Sequence, residues 1–334
     1  MWRMISLAIW LAALAVAAVL LVLWYTPAQG PRFVMPIGCE LGKNCYLQQF
    51  VDHDPGPGAQ DFTCGSATYD GHKGTDFRIS RRDMEAGVNV LAPAPGRIRA
   101  LRDGMADILA PDPASVQDRE CGNGVLIDHA DGWSSQLCHL KQGSVAVHQG
   151  QQVVAGQILG QVGLSGKTSF PHVHVTFRRD GAVVDPFAPD LAPATCGGDA
   201  GTPLWSDTAL REEAAHPSRL IAAGYASRAP ALDDIMNGDY DTVAPVSNAP
   251  LVIWGLAING QQDDQLVIEI TFPSGEVAAP PTEGLDRTKA QFFRFFGKRA
   301  PAGGWPAGDY RWSVKLVRQG AVIDQRDGFT KIGG

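Results

Sequence analysis

The stretch from Met4 to Tyr25 (MISLAIWLAALAVAAVLLVLWY) carries no charged residue and a single aliphatic hydroxyl, Ser6. A water-soluble domain has no place for such a run. Coiled as a helix at about 1.5 Å per residue it reaches roughly 33 Å, enough to cross a bilayer core. Trp2, Trp24 and Tyr25 stand where interfacial aromatics belong. Arg3 precedes the run and the next basic residue is Arg32, so the positive-inside rule keeps the N-terminus in the cytoplasm and exports the remainder of the chain. The competing reading is a cleaved signal peptide, with Thr26-Pro27-Ala28 as its processing site. The apolar region of such a peptide is usually about 7–15 residues, shorter than this one. A single-pass membrane anchor over 4–25 is therefore expected. On either reading the rest of the chain lies outside the cytoplasm, where its six cysteines can form disulfides.

Beyond a stalk near residue 30, residues 33–190 are short apolar runs broken by turns. With 38 Gly and 23 Pro in 334 residues, this is turn-rich, mainly β usage. Asp131-Gly132 and Asp180-Gly181 separate β-rich runs, a strong hairpin signal. Residues 191–240 are richer in Pro, Ala, Gly and Asp, with a possible helix near Ser206–Ala215, and read as a linker with some order. From 241 to 334 period-two alternation returns. Leu266, Ile268, Ile270 and Phe272 alternate with polar or smaller neighbours, and so do Tyr310, Trp312, Val314 and Leu316. That pattern predicts a small β-sandwich. It holds no His or Cys, so no chemistry is assigned to it. A net charge of −7 without a Lys/Arg cluster excludes the positive footprint that nucleic acid requires.

The chemistry is concentrated in the first β region. In GHKGTDF, His72 and Asp76 are four apart; along a strand that is about 13 Å, too far to share an ion, so the chain must curl between them. Gly71 and Gly74 permit the curl. In PHVHVTF, His172 and His174 share one face of a strand, so one can ligate while the other overlooks the site. His139, in QLCHL, is a third element, and its neighbour Cys138 faces the other way. Two imidazoles and a carboxylate form a three-donor zinc set with the fourth position open, which is the catalytic pattern. The two spare histidines suit general acid–base or oxyanion roles.

The order HxxxD, lone His, HxH, together with VLAPAPGRI, GNGVLIDHADGWSSQLCHL and GQQVVAGQILGQVGLSG, resembles the lysostaphin/LytM-type zinc endopeptidases over about residues 64–187. The resemblance implies antiparallel sheets lining a groove, Zn2+ held by His72, Asp76 and His174, and His139 and His172 flanking the reacting centre. It further implies cleavage of peptide cross-bridges in peptidoglycan by a protein of the bacterial inner membrane, with its catalytic domain in the periplasm or other extracytoplasmic space. The C-terminal sandwich would then serve a cell-wall or divisome partner. A non-catalytic wall-binding or hydrolase-activating module is the alternative, and retention of all three ligands argues against it. One departure is Thr168-Ser169-Phe170-Pro171 ahead of the HxH, where the family usually has a small Gly; Phe170 adds bulk at the groove floor. Tyr69 lies close to His72 without an assigned role.

His129 is expected to be structural, and His53, His148 and His216 to be surface positions. Six cysteines allow fifteen full pairings. Cys39 and Cys45 can close a short loop. Cys121 and Cys138 flank the Asp131-Gly132 hairpin, but with a two-residue turn Cys121 falls about 13 Å from its partner along the strand, beyond disulfide reach unless the chain bends back.

Overall fold

The computed structural model describes residues 31–109, 112–192, 194–238 and 247–333. The expected anchor over 4–25 lies outside the described residues; among those described, no helix is long and apolar enough to cross a membrane. From Phe33 onward the chain forms one compact unit, mainly β with antiparallel strand pairing.

The first ten strands are β1 (Cys45–Gln49), β2 (Thr75–Ile79), β3 (Asn89–Leu91), β4 (Gly96–Arg102), β5 (Asn123–Asp128), β6 (Trp133–Leu140), β7 (Gln152–Val153), β8 (Ile158–Gln161), β9 (His172–Arg179) and β10 (Ala182–Val184). Eight of them build one sheet in the order β1-β2-β9-β6-β5-β4-β7, with β10 on the edge of β9, and β3 pairs with β8 in a second, small sheet. Asp131-Gly132 and Asp180-Gly181 turn the β5–β6 and β9–β10 hairpins, all four residues at positive φ (57°, 76°, 50° and 88°), the conformation that such a two-residue turn demands. A short helix, α1 (Arg81–Ala86), comes after β2 and is capped by the Ser80 side chain, which accepts from the Asp83 N–H.

The core of this region is aromatic. The rings of Phe33 and Phe177 stack 4.0 Å apart, and Trp205 packs edge-on against Phe33, Phe77 and Phe177. Trp205 comes from the stretch read as a linker. Leu204, Leu210 and Ala214 join the same core, the latter two on α2 (Thr208–Ala215), whose N-cap Asp207 accepts from Ala209 N–H. Further on, β11 (Arg219–Ala226) pairs with the next sheet, and α3 (Leu232–Asn237) contributes Ile235 to a small cluster with Val252, Trp254 and Leu256. The described part of 191–240 is thus ordered, because its apolar side chains have two cores to enter.

The C-terminal region has two sheets. One is β11 with β12 (Leu251–Gly260) and β15 (Lys289–Lys298); the other orders β14 (Val277–Ala278), β13 (Gln265–Thr271), β16 (Gly308–Arg318) and β17 (Ala321–Ile332). Leu266, Ile268 and Ile270 point inward from β13 and meet Tyr310, Val314 and Leu316. Each such buried side chain stabilises by about 1.5–3 kcal/mol.

All six cysteines pair: Cys39–Cys45, Cys64–Cys196 and Cys121–Cys138. The last pair corrects the hairpin estimate. Val125 faces Leu137, the register slips between Asn123 and Val125, and the chain bends back at Gly122 (φ 66°). The His139 N–H then donates to Cys121 C=O at 2.9 Å, which brings the two Cα atoms to 4.8 Å.

Candidate functional site

β2 and β9 run antiparallel with Asp76 directly opposite His174 and Arg78 opposite His172. Alternation sends Phe77, Val173, Val175 and Phe177 into the core. The intervening Asp76, His172 and His174 therefore share the other face. His72 is not on the strand. It sits in the turn before β2, tied down by Asp52 N–H donating to its C=O at 2.8 Å. Gly74 makes the approach possible: a Cβ there would stand 2.5 Å from Val175 O and 2.7 Å from His174 Nε2.

One donor atom from each of His72, Asp76 and His174 lies within 4.8 Å of the other two. His72 Nε2 is 3.2 Å from Asp76 Oδ1 and 3.0 Å from His174 Nδ1, and His174 Nδ1 is 2.8 Å from Asp76 Oδ1. The outer nitrogen of His72 fixes its tautomer. His72 Nδ1 faces Phe50 C=O at 2.6 Å; a carbonyl only accepts, so Nδ1 carries the proton and Nε2 presents its lone pair inward. His174 is turned the other way, its Nε2 2.9 Å from Thr176 Oγ1. A buried carboxylate and two inward-facing imidazole nitrogens are the donor types a divalent cation such as Zn2+ takes.

His139 and His172 flank this triad, their rings 4.6 Å apart. Each holds Nδ1 against a main-chain carbonyl, Ser165 O at 2.8 Å and Phe170 O at 2.9 Å, so each keeps Nε2 as an acceptor. His172 Nε2 stands 3.6 Å from Asp76 Oδ1. Burial disfavours the imidazolium and holds His139 well below, and His172 below, the ordinary histidine value. Burial also opposes ionisation of Asp76, but the facing His72 and His172 outweigh it and keep the carboxyl well below its usual range. For His72, burial is overcome by Asp76 and the result is upward.

All five residues singled out from the sequence are thus brought together in one site. Phe170 is buried beside them, its ring 4.6 Å from that of His172. Tyr69, half exposed, lies with its ring 4.5 Å from His72. A cavity of about 520 Å³ opens in front of His139 and His172 and is lined also by Tyr69, Lys167, Phe170 and Gln291. Gln291, far along the chain, had no motif to mark it. His129 is structural, bonded to Pro95 O and Ser135 Oγ at 2.8 Å each. His148 and His216 are exposed, whereas His53 is largely buried and pairs with Asp185 at 3.0 Å, a correction to its surface assignment: the carboxylate gives the ring a buried polar partner.

The antiparallel sheet thus carries a His-Asp-His donor set able to hold a metal ion, with two further histidines over a cleft. Residues 70–186 match Peptidase family M23. Among its relatives, the cell division protein DipM of Caulobacter vibrioides is 34% identical over 103 residues, 31% of this chain and 16% of that protein. The DD-carboxypeptidase/endopeptidase Mpg of Neisseria meningitidis is 32% identical over 103 residues, 31% of this chain and 22% of its own length. The chain therefore spans about a fifth or less of these curated relatives. Among solved structures, the catalytic domain of the antimicrobial peptidase lysostaphin from Staphylococcus simulans is 22% identical, with 41% of this chain and 85% of that chain covered at a TM-score of 0.27.

Proposed function

We propose that this chain is a zinc-dependent endopeptidase that cuts peptide cross-bridges of peptidoglycan, anchored by 4–25 in the bacterial inner membrane with its catalytic domain outside the cytoplasm. The observation that carries the reading is the intact constellation: three donors of the right type within 4.8 Å, with two histidines beside them that keep Nε2 turned to the site.

In this reading His72 Nε2, Asp76 Oδ1 and His174 Nδ1 hold the metal. Phe50 C=O and Thr176 Oγ1 fix the two imidazoles in their ligating orientation. When bound, Zn2+ supplies Lewis acidity, polarising a carbonyl and acidifying water. His139 and His172 do the proton work. With Nδ1–H pinned on a carbonyl, the neutral Nε2 of one accepts a proton from the attacking water and then delivers that same proton to the leaving amine, while the other lines the cleft and orients water or substrate through its Nε2 lone pair. The cavity holds an extended peptide across these groups. The domain order is a peptidase domain over 33–190, a connecting stretch over 191–240 and an accessory sandwich over 241–334, whose partner is of the cell wall or the division machinery.

His139→Ala tests the division of labour. Zinc content stays at wild-type level while kcat on cross-linked muropeptides falls by about 10²–10⁴-fold. The acid limb of the wild-type kcat/KM profile lies below about pH 6.5, because burial keeps both bases neutral there. Unchanged turnover in that variant would remove His139 from the mechanism.

A further inference from the structure

Arg78, two residues after Asp76 on β2, is 3% exposed and has no carboxylate partner among the described residues. Burial lowers its guanidinium pKa to about 9. A buried cation without a counter-ion is costly unless neutral acceptors solvate it. Here Gln48 Oε1 at 2.7 Å and Gln291 Oε1 at 2.9 Å accept from Nη1, Met236 Sδ lies 2.9 Å from Nη2, and the Phe170 ring lies 4.7 Å beneath. Gln291 and Met236 belong to the C-terminal part of the chain, on β15 and α3. Asn259 Nδ2 donates to Gln48 C=O at 2.7 Å, so the sandwich is bonded to β1 as well.

This contact has a directional consequence. An arginine only donates, so it selects one face of each amide and draws Oε1 towards itself. Gln291 must then turn its Nε2 away from Arg78. Among the described residues that NH2 has no partner, and Gln291 lines the same cavity as His139 and His172. A fixed amide with two free donors on the wall of a peptide-sized cleft matches one chemistry, a carbonyl oxygen of the bound peptide.

We propose that Gln291 is a substrate-binding residue supplied by the sandwich, its Nε2 donating to a peptide carbonyl, with Arg78 as the residue that positions it. The sandwich thus completes the substrate cleft, a role that rests on the peptidase reading and goes beyond wall attachment.

The test compares Gln291→Ala with Gln291→Glu in the full chain. Glutamate keeps the shape and strengthens the bond to Arg78 but replaces the donors by acceptors. A donor role predicts KM for a cross-linked muropeptide raised about three- to tenfold in both variants, as for loss of one hydrogen bond, with kcat nearly unchanged and the Gln291→Glu melting temperature at or above wild type. A wild-type KM in Gln291→Glu alongside a raised KM in Gln291→Ala leaves only a structural role and overturns the proposal, as does an unchanged KM in both. Calorimetric titration of the same muropeptide separates the two levels. Binding without cleavage by the wild type contradicts the hydrolase reading while the variants still judge Gln291; neither binding nor cleavage by the wild type defeats both.

Discussion

The β2–β9 pair and the β13–β16 pair are both antiparallel, yet they handle polarity in opposite ways. On β13, Leu266, Ile268 and Ile270 go inward, while Glu269 faces out to an ion pair with Lys315, the half-solvated arrangement that alternation predicts. On β2 every residue of TDFRI is buried, Asp76 and Arg78 included. Burying a carboxylate and a guanidinium costs several kcal/mol unless each is fully partnered. In the proposed reading β2 carries that burden for its chemistry, whereas β13, which avoids it, is scaffold. That contrast separates the two regions better than their shared all-β architecture.

A matched pair of glycine substitutions sharpens the contrast. Gly74→Ala pushes a methyl group into Val175 O and the His174 ring, and should weaken zinc affinity by about 10–100-fold, the size expected when the support of a ligand is disturbed, with activity falling in step. Gly328→Ala drives a methyl group into the Trp312 ring and should cost about 1–3 kcal/mol of stability while leaving zinc affinity unchanged. Zinc titration and thermal melts on both variants check this, and equal effects on metal binding would erase the distinction.

Reduction gives a smaller, regional effect. All three disulfides staple residues 39–196, and no cysteine occurs after 196. Loss of the Cys64–Cys196 bridge, which closes a separation of 132 residues, should remove about 2–4 kcal/mol. Hydrogen exchange after Cys64→Ser/Cys196→Ser should rise in β1 and β2 before it rises in β13 and β16. Uniform loss of protection would show the two regions melting as one.

The five residues of the candidate site were legible in the sequence because they sit in short local patterns, while the choice of His174 over His172 as a ligand came from the family resemblance alone. HxH on a strand fixes two side chains to one face, and the glycines of GHKGTDF announce the curl that His72 needs. The two Asp-Gly hairpins and the alternation of β13 and β16 were equally local. What escaped was non-local. The pairing of Cys121 with Cys138 depends on a register slip and a positive-φ bend that leave no mark on hydrophobic period. Some order in 191–240 was expected from its helix signal, but the packing of its described residues depends on Trp205 and β11 finding cores built by distant strands. Arg78 and Gln291 meet across 213 positions, so nothing in either neighbourhood signals the other.

The most direct measurement is metal content and muropeptide mass spectrometry on the same preparation, before and after chelation. One zinc per chain, lost together with cross-bridge cleavage and restored by added Zn2+, is the expected result, with His72→Ala inactive and zinc-free throughout. Full cleavage by metal-free protein would contradict the central claim.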